Sequence, residues 1–348
     1  MPQQFLGNKE FLTKDIEVFA SCPSNIALIK YWGKYEGQIP ANPSISFTLS
    51  NCKTETKMIF KSGEKFSVKT FLAGKEETKF SEKIEKYFRS IEKYLPWILH
   101  GSFVIETENT FPHSSGIASS ASGFGAIAKC LIEMDKAFSG KDFFDVKKAS
   151  FLARLGSGSA CRSVYDGLVV WGEVNEVEGS SDLYAVKYPN EEIHPIFRDF
   201  NDYVLLIHEG QKSVSSTVGH GLMNTNPYAE RRFQEARENF VPMKEILKSG
   251  DLQAFMRLVE HEALTLHAMM MMSDPAFILM QTGTLQVINR VWEFRKETNL
   301  PLFFTLDAGA NVHLLFPSEK KAEISNFIET ELLQYTQNGG IVRDFMKF

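Results

Sequence analysis

Hydrophobic and polar residues alternate with period two through Ser44-Ile-Ser-Phe-Thr-Leu-Ser50 and, more loosely, through Lys53-Thr-Glu-Thr-Lys-Met-Ile-Phe60. That spacing predicts strands. Apolar runs at Ile16 to Ala20, Asn25 to Trp32, Phe103 to Glu106 and Leu168 to Trp171 read as further strands, with Ser21 to Ser24 as a turn and Asp166-Gly167 as another. The helical period is clearest after residue 123, where Phe124, Ile127, Leu131, Met134 and Phe138 form one stripe that ends at Ser139-Gly140. Helices are also expected at Lys83 to Tyr94 and Phe144 to Leu155. Beyond the polar stretch Glu173 to Asp182 and the turn at Pro189 to Glu192, a strand (Tyr203 to Ile207) opens a helix-rich region. It carries helices at about Tyr228 to Leu247, Asp251 to Met272 and Thr284 to Lys296, strands at Leu302 to Leu306 and Val312 to Phe316, and a terminal helix.

The chain of 348 residues is long enough for two cores, and the pattern divides it into units at 1–190 and 191–348. A net charge of −5 without a basic run makes nucleic acid and anionic membranes unexpected partners. No window approaches a membrane span and the first residues show no leader pattern, so a cytoplasmic protein is expected. The four cysteines have no paired spacing and read as reduced, buried thiols. The 29 phenylalanines point to an aromatic core.

Candidate chemistry lies in four segments. Phe111-Pro-His-Ser-Ser-Gly-Ile-Ala-Ser-Ser-Ala-Ser-Gly123 joins a strand to a helix. Such a Ser/Gly loop at the positive end of a helix can cradle a polyphosphate, or be a flexible turn. Asn25-Ile-Ala-Leu-Ile-Lys-Tyr-Trp-Gly-Lys34 can form a cationic, aromatic wall, or end a strand with solvated lysines. Gly156-Ser-Gly-Ser-Ala-Cys-Arg-Ser163 offers hydroxyls and a guanidinium that can grip a carboxylate, or is a helix cap and turn. Asp307-Ala-Gly-Ala-Asn311 leaves a buried strand and is either a turn or a catalytic carboxylate. His261 and His267 miss the spacing that puts two imidazoles on one helical face, so no His/Cys metal cluster is expected. Gly-x-Ser-x-Gly and the dinucleotide fingerprint are both missing.

Together and in this order, these segments resemble the GHMP kinase superfamily and, within it, the mevalonate diphosphate decarboxylase family. N-I-A-x-x-K-Y-W-G-K, the Ser-rich phosphate loop, G-S-G-S-A-C-R-S, V-S-S-T (Val214 to Thr217) and D-A-G-x-N all have counterparts here. The resemblance implies an α+β, two-domain GHMP kinase fold with the active site in the interdomain cleft. It implies ATP and Mg²⁺ as cofactors, a phosphorylated 3-hydroxy acid as substrate, loss of CO₂, and a homodimer. Carried onto this chain, it makes Asp307, Lys34 and Arg162 catalytic, and gives substrate binding to Tyr31, Trp32, Lys34, Ser157, Gly158, Ser159, Arg162, Ser216 and Thr217. ATP and Mg²⁺ fall to Ser115, Gly116, Ser119 and Ser120.

Three departures stand out. His113-Ser114-Ser115 replaces the family's Thr-Ala-Ala, and His113 would tune phosphate affinity. His220 stands where a methionine is usual. The family's phosphate-binding arginine has no counterpart in residues 64–72, leaving Lys65 or Lys69 to substitute. A C3 kinase without decarboxylation, a relative acting on a differently phosphorylated mevalonate, and a non-catalytic sensor on the same scaffold are the other readings.

Overall fold

The structure, a computed structural model, describes residues 3–8, 11, 13–112, 117–140, 142–210 and 214–347. In chain order the first half runs β1 (Ile16–Ile29), the hairpin β2 (Lys34–Tyr35) and β3 (Ile39–Pro40), β4 (Ser44–Ser62), β5 (Ser67–Leu72), β6 (Lys75–Glu76) and α1 (Thr78–Ile91). It continues with β7 (Gly101–Asn109), α2 (Ser119–Ser139), α3 (Val146–Gly156), α4 (Ala160–Ser163), β8 (Leu168–Trp171) and β9 (Ala185–Lys187). The second half runs β10 (Asp199–Leu205), α5 (Ser216–Leu222), α6 (Ala229–Glu238), α7 (Phe240–Ser249), α8 (Leu252–Met271) and α9 (Thr282–Thr298). It closes with β11 (Phe303–Thr305), β12 (Val312–Pro317), α10 (Lys321–Phe327) and β13 (Ile341–Lys347).

A seven-stranded sheet takes β6, β5, β7, β4, β8 and β9 in that order, with β1 along β4's other side. A four-stranded sheet has the order β11-β12-β10-β13. From Cys52 to Phe60, β4 alternates buried and half-buried residues, as its period-two sequence requires. All five stripe residues of α2 are buried, and so is most of its remaining surface, because the helix lies between the first sheet and α3. Phenylalanines fill both main cores. One holds Phe60, Phe88, Phe103, Phe124 and Phe138 against Trp97. The other joins the two sheets through Phe47, Leu168, Phe200, Phe255 and Phe303. All four cysteines are free and buried.

Four expectations need correction. Residues Ser21 to Ser24 are strand, not turn: β1 continues through them, and a register shift between Pro23 and Asn25 absorbs the proline on an edge strand. The helix expected over residues 228–247 is two helices, because Pro242 lacks the N–H that would continue α6 into α7. Helix α2 begins at Ser119, five residues before its apolar stripe, so the end of the Ser-rich segment is helical. The chain ends in a strand rather than a helix, because β13 completes the second sheet by pairing with β10 from Leu205↔Ile341 to Asp199↔Lys347. Its sequence hides the period, since Arg343 is exposed and Asp344 beside it is buried. The Asp344 carboxylate accepts the backbone N–H groups of Ser50, Asn51 and Cys52 at 2.6–3.1 Å, tying the last strand to β4.

Candidate active site

Both sheets contribute to one cleft of about 580 Å³. From the end of β1 come Lys30, Tyr31, Trp32 and Lys34; the first turn of α2 gives Ser119 and Ser120. The turn between α3 and α4 adds Ser157, Gly158, Ser159 and Arg162, α5 adds Ser216 and Thr217, and the loop from β11 to β12 adds Asp307. The structure therefore brings together every described residue to which the resemblance gives a catalytic, substrate-binding or ATP and Mg²⁺ role. Ser115, Gly116 and His113 lie outside the described residues.

Backbone geometry explains several of these placements. Gly33 has φ +98°, and a Cβ there would lie 2.7 Å from the Phe233 ring, so the turn after Trp32 needs glycine. A Cβ at Gly158 would lie 2.8 Å from the Tyr31 hydroxyl and 2.9 Å from Trp171, so glycine lets the Ser157–Ser159 turn approach the aromatic wall. Ala118 takes a left-handed conformation (φ 31°, ψ 41°) and turns the chain into α2. The first turn of that 21-residue helix, which has no side-chain cap, then lines the cleft through Ser119 and Ser120. Ser120 Oγ lies 3.5 Å from Ser157 Oγ, closing the loop side onto the Gly-Ser turn.

The carboxylate side is built on a buried polar support. Lys30 is 1% exposed, and its Nζ lies 3.4 Å from Asp307 Oδ1. Burial pushes the Lys30 ammonium below its usual range, and Asp307 pulls it partly back. The Lys30 backbone N–H donates to Glu262 Oε2 at 2.8 Å, and Asn42 Nδ2 donates to the Lys30 carbonyl at 2.8 Å. Glu262 is paired in turn with Arg232, both wholly buried. Asp307 is held from behind by His267 Nε2, which donates to its carbonyl at 3.1 Å.

Arg162 is 3% exposed, and burial lowers its pKa. Its Nε donates to Asn25 Oδ1 at 3.2 Å and its Nη1 to Ser44 Oγ. Among the described residues it forms no ion pair with a carboxylate, although the charge of Asp307 acts on it, so a buried guanidinium lines the cleft where an anionic ligand can meet it.

Sequence reasoning missed Lys30, the lysine paired with Asp307; Lys34, also in the cleft, donates from Nζ to Gln38 Oε1 at 2.8 Å. Neither Lys65 nor Lys69 lines the cleft, and Lys69 pairs with Glu76 at 3.1 Å. The additional cation is Lys83 of α1, whose Nζ also lies 4.9 Å from the Phe124 ring centre. Burial, followed by the charge of Lys83, lowers the pKa of Lys34, and burial lowers that of Lys83. Among the described residues neither pairs with a carboxylate, which is the arrangement a polyanion would relieve. Nothing in the sequence near Lys83 marks it, because only the packing of α1 brings it here. His220 also lines the cleft, next to Tyr31 and Trp32.

Comparison with known proteins agrees with this geometry. The chain matches the diphosphomevalonate decarboxylase-like N-terminal domain over residues 22–185 and the mevalonate 5-diphosphate decarboxylase C-terminal domain over residues 203–344. It is 30% identical over 333 residues to diphosphomevalonate decarboxylase of Eremothecium gossypii, an alignment covering 88% of this chain and 79% of that one. The crystal structure of mevalonate diphosphate decarboxylase from Staphylococcus aureus superposes with TM-score 0.82 at 30% identity, over 95% of this chain and 96% of that one. A structure of MDDEF in complex with MVAPP, AMPPCP and magnesium gives TM-score 0.81 at 26% identity, over 96% and 97% of the two chains. The shared two-domain fold, the length of the alignments and the motifs gathered in one cleft lead to a single assignment: the chain belongs to the diphosphomevalonate decarboxylase family.

Proposed function

We propose that the protein catalyses the ATP- and Mg²⁺-dependent decarboxylation of (R)-5-diphosphomevalonate to isopentenyl diphosphate, with ADP, phosphate and CO₂ as the other products. The observation that carries this reading is the meeting of Asp307, Lys30 and buried Arg162 in one cleft with the start of α2. Relatives named for this activity, and the related complex with MVAPP, AMPPCP and magnesium, support it.

In this reading Asp307 orients the tertiary C3 hydroxyl and receives its proton as the oxygen attacks the γ-phosphoryl group. Lys30, 3.4 Å away, holds the Asp307 carboxylate in place. The C3–O bond of the phosphorylated intermediate then breaks, phosphate departs with the bonding pair, and the electrons of the C–CO₂⁻ bond form the new double bond as CO₂ leaves. Arg162 fixes the carboxylate until that step, with Ser157 and Ser159 beside it. Lys34 and Lys83 hold the substrate diphosphate, Tyr31 and Trp32 wall it in, and Ser216 and Thr217 cover it.

The donor set suits a nucleotide polyphosphate, since Ser119, Ser120 and with them the positive end of α2 line the cleft. When bound, Mg²⁺ supplies charge neutralisation for the phosphates, which with water are its usual ligands. Among the described residues no group of three or more His, Cys, Asp or Glu side chains could hold a metal by itself. Among them, too, no helix is long and apolar enough to cross a membrane. A homodimer in a reducing cytoplasm completes the reading, supported by the four unpaired thiols for the compartment and by the family for the assembly.

The test is release of CO₂ and phosphate with ATP and Mg²⁺ from mevalonate, its 5-phosphate, its 5-diphosphate and its 3,5-bisphosphate. CO₂ from the 5-diphosphate alone supports the reading. CO₂ from another member would mean that the altered phosphate contacts re-aim the same chemistry. A phosphorylated acid without CO₂ would replace decarboxylase by kinase.

A further inference from the structure

His220 has a fixed tautomer. The backbone N–H of Gly33 donates to its Nδ1 at 2.9 Å. A backbone amide can only donate, so Nδ1 must accept and the ring proton sits on Nε2. An imidazolium would set a second N–H against that of Gly33. Burial and the charge of Lys34 act in the same direction, holding the ring neutral with a pKa of about 3.

The ring is 8% exposed and lines the cleft, with its centre 4.4 Å from those of both Tyr31 and Trp32. It follows Ser216 by four residues and Thr217 by three, so all three share one face of α5. Among the described residues no acceptor is paired with Nε2. A methionine at this point would offer neither this acceptor nor this donor.

We propose that His220 is a substrate-binding and positioning residue whose Nε2–H is an uncharged donor to an anionic oxygen of the bound substrate. Its Nδ1 bond simultaneously holds α5 against the Tyr31–Lys34 wall. The inference rests on the decarboxylase reading for the identity of that substrate. Beside Lys34 and Lys83, a neutral donor adds direction without further cationic charge.

Three variants separate the two ring nitrogens. His220→Asn keeps an acceptor near the Nδ1 position and loses the distal donor, His220→Gln places an amide N–H near the Nε2 position, and His220→Met removes both. With 5-diphosphomevalonate, KM is expected to rise about tenfold in the Asn and Met variants and to return to within about threefold in the Gln variant, kcat moving less than KM. In the wild type labelled with ¹⁵N-histidine, the Nε2–H signal is expected to shift on adding 5-diphosphomevalonate with a non-hydrolysable ATP analogue.

An Asn variant equal to wild type beside an impaired Gln variant would overturn the proposal and leave His220 a purely structural clamp. So would an Nε2–H signal unmoved at saturation. If a variant melts below the assay temperature, the wild-type titration decides. Failure of the decarboxylase reading shows separately, as absence of CO₂ from the wild type. A wild type that decarboxylates another member of the panel, with the same order of variants, would retain His220's role.

Discussion

Lys30 and Asp307 lie 277 positions apart in sequence, yet their side chains form an ion pair of 3.4 Å at the base of the cleft. Lys30 comes from the end of the first strand and Asp307 from the loop after β11, so the pair exists only when the two halves of the molecule are docked. The lysine is buried and the carboxylate is 27% exposed. One member is therefore anchored while the other faces a ligand. A carboxylate held in this way is suited to take a proton from a hydroxyl placed above it.

Replacing Asp307 with Asn keeps the shape of the side chain and removes its charge. The kcat for CO₂ release is expected to fall by about 10³-fold or more, while affinity for the nucleotide stays within about threefold. Single-turnover CO₂ release and nucleotide titration measure the two separately. Activity within about tenfold of wild type, a difference of only about 1.4 kcal/mol, would remove Asp307 from its role.

Lys83 should carry part of the substrate's diphosphate charge, and Lys69, paired with Glu76 at the surface, should not. Lys83→Ala is expected to raise the KM for 5-diphosphomevalonate by about tenfold or more, with a smaller loss in kcat. Lys83→Arg should recover most of the loss and Lys69→Ala should have little effect. Equal losses at the two positions would show that the effect is one of overall charge.

Asp344 accepts three N–H groups of β4 and its own strand neighbour's, that of Phe345. Asp344→Ala leaves the N–H of buried Cys52 and those of Ser50 and Asn51 without this acceptor, and the expected loss of stability is about 3 kcal/mol. Urea unfolding followed by tryptophan fluorescence would measure it. Asn, which keeps one acceptor oxygen, should cost less. Because the bond joins the last strand to the first sheet, kcat in the Ala variant should also fall.

His220 gives a defined dependence of stability on pH. Its folded pKa, about 3, lies below the ordinary 6.5, so the unfolded chain binds a proton that the folded one refuses. The stability this ring contributes is complete above about pH 6.5 and is lost as pH falls toward about 3. Across the middle of that window the wild type should lose about 1.4 kcal/mol per pH unit more than His220→Met. Denaturant midpoints for both proteins at pH 7, 5.5 and 4.5 provide the comparison. Parallel curves would mean that the ring takes up a proton while folded.

Elements whose signal is local could be read without the fold. The stripe of α2, the alternation of β4 and the helices α8 and α9 follow from periodicity, because one buried face imposes it. The residue types of the cleft were also legible. Small residues, hydroxyls, an arginine and an aspartate stand in short runs, since close approach to a ligand constrains neighbouring positions together. Pro242 was an available signal for the break between α6 and α7.

By itself, then, the sequence determined the chemical inventory of the site, the family and the strongly periodic elements. The tertiary structure decided which residues of that inventory act together. It paired Asp307 with Lys30, brought Lys83 into the cleft beside Lys34, turned the chain's end into a strand and set His220 against Gly33. Each of these depends on a contact between distant segments, and a long-range contact leaves no period or spacing in the chain around it. Side-chain charge is written residue by residue, but the burial and the partner that give the charge its role are properties of the folded whole.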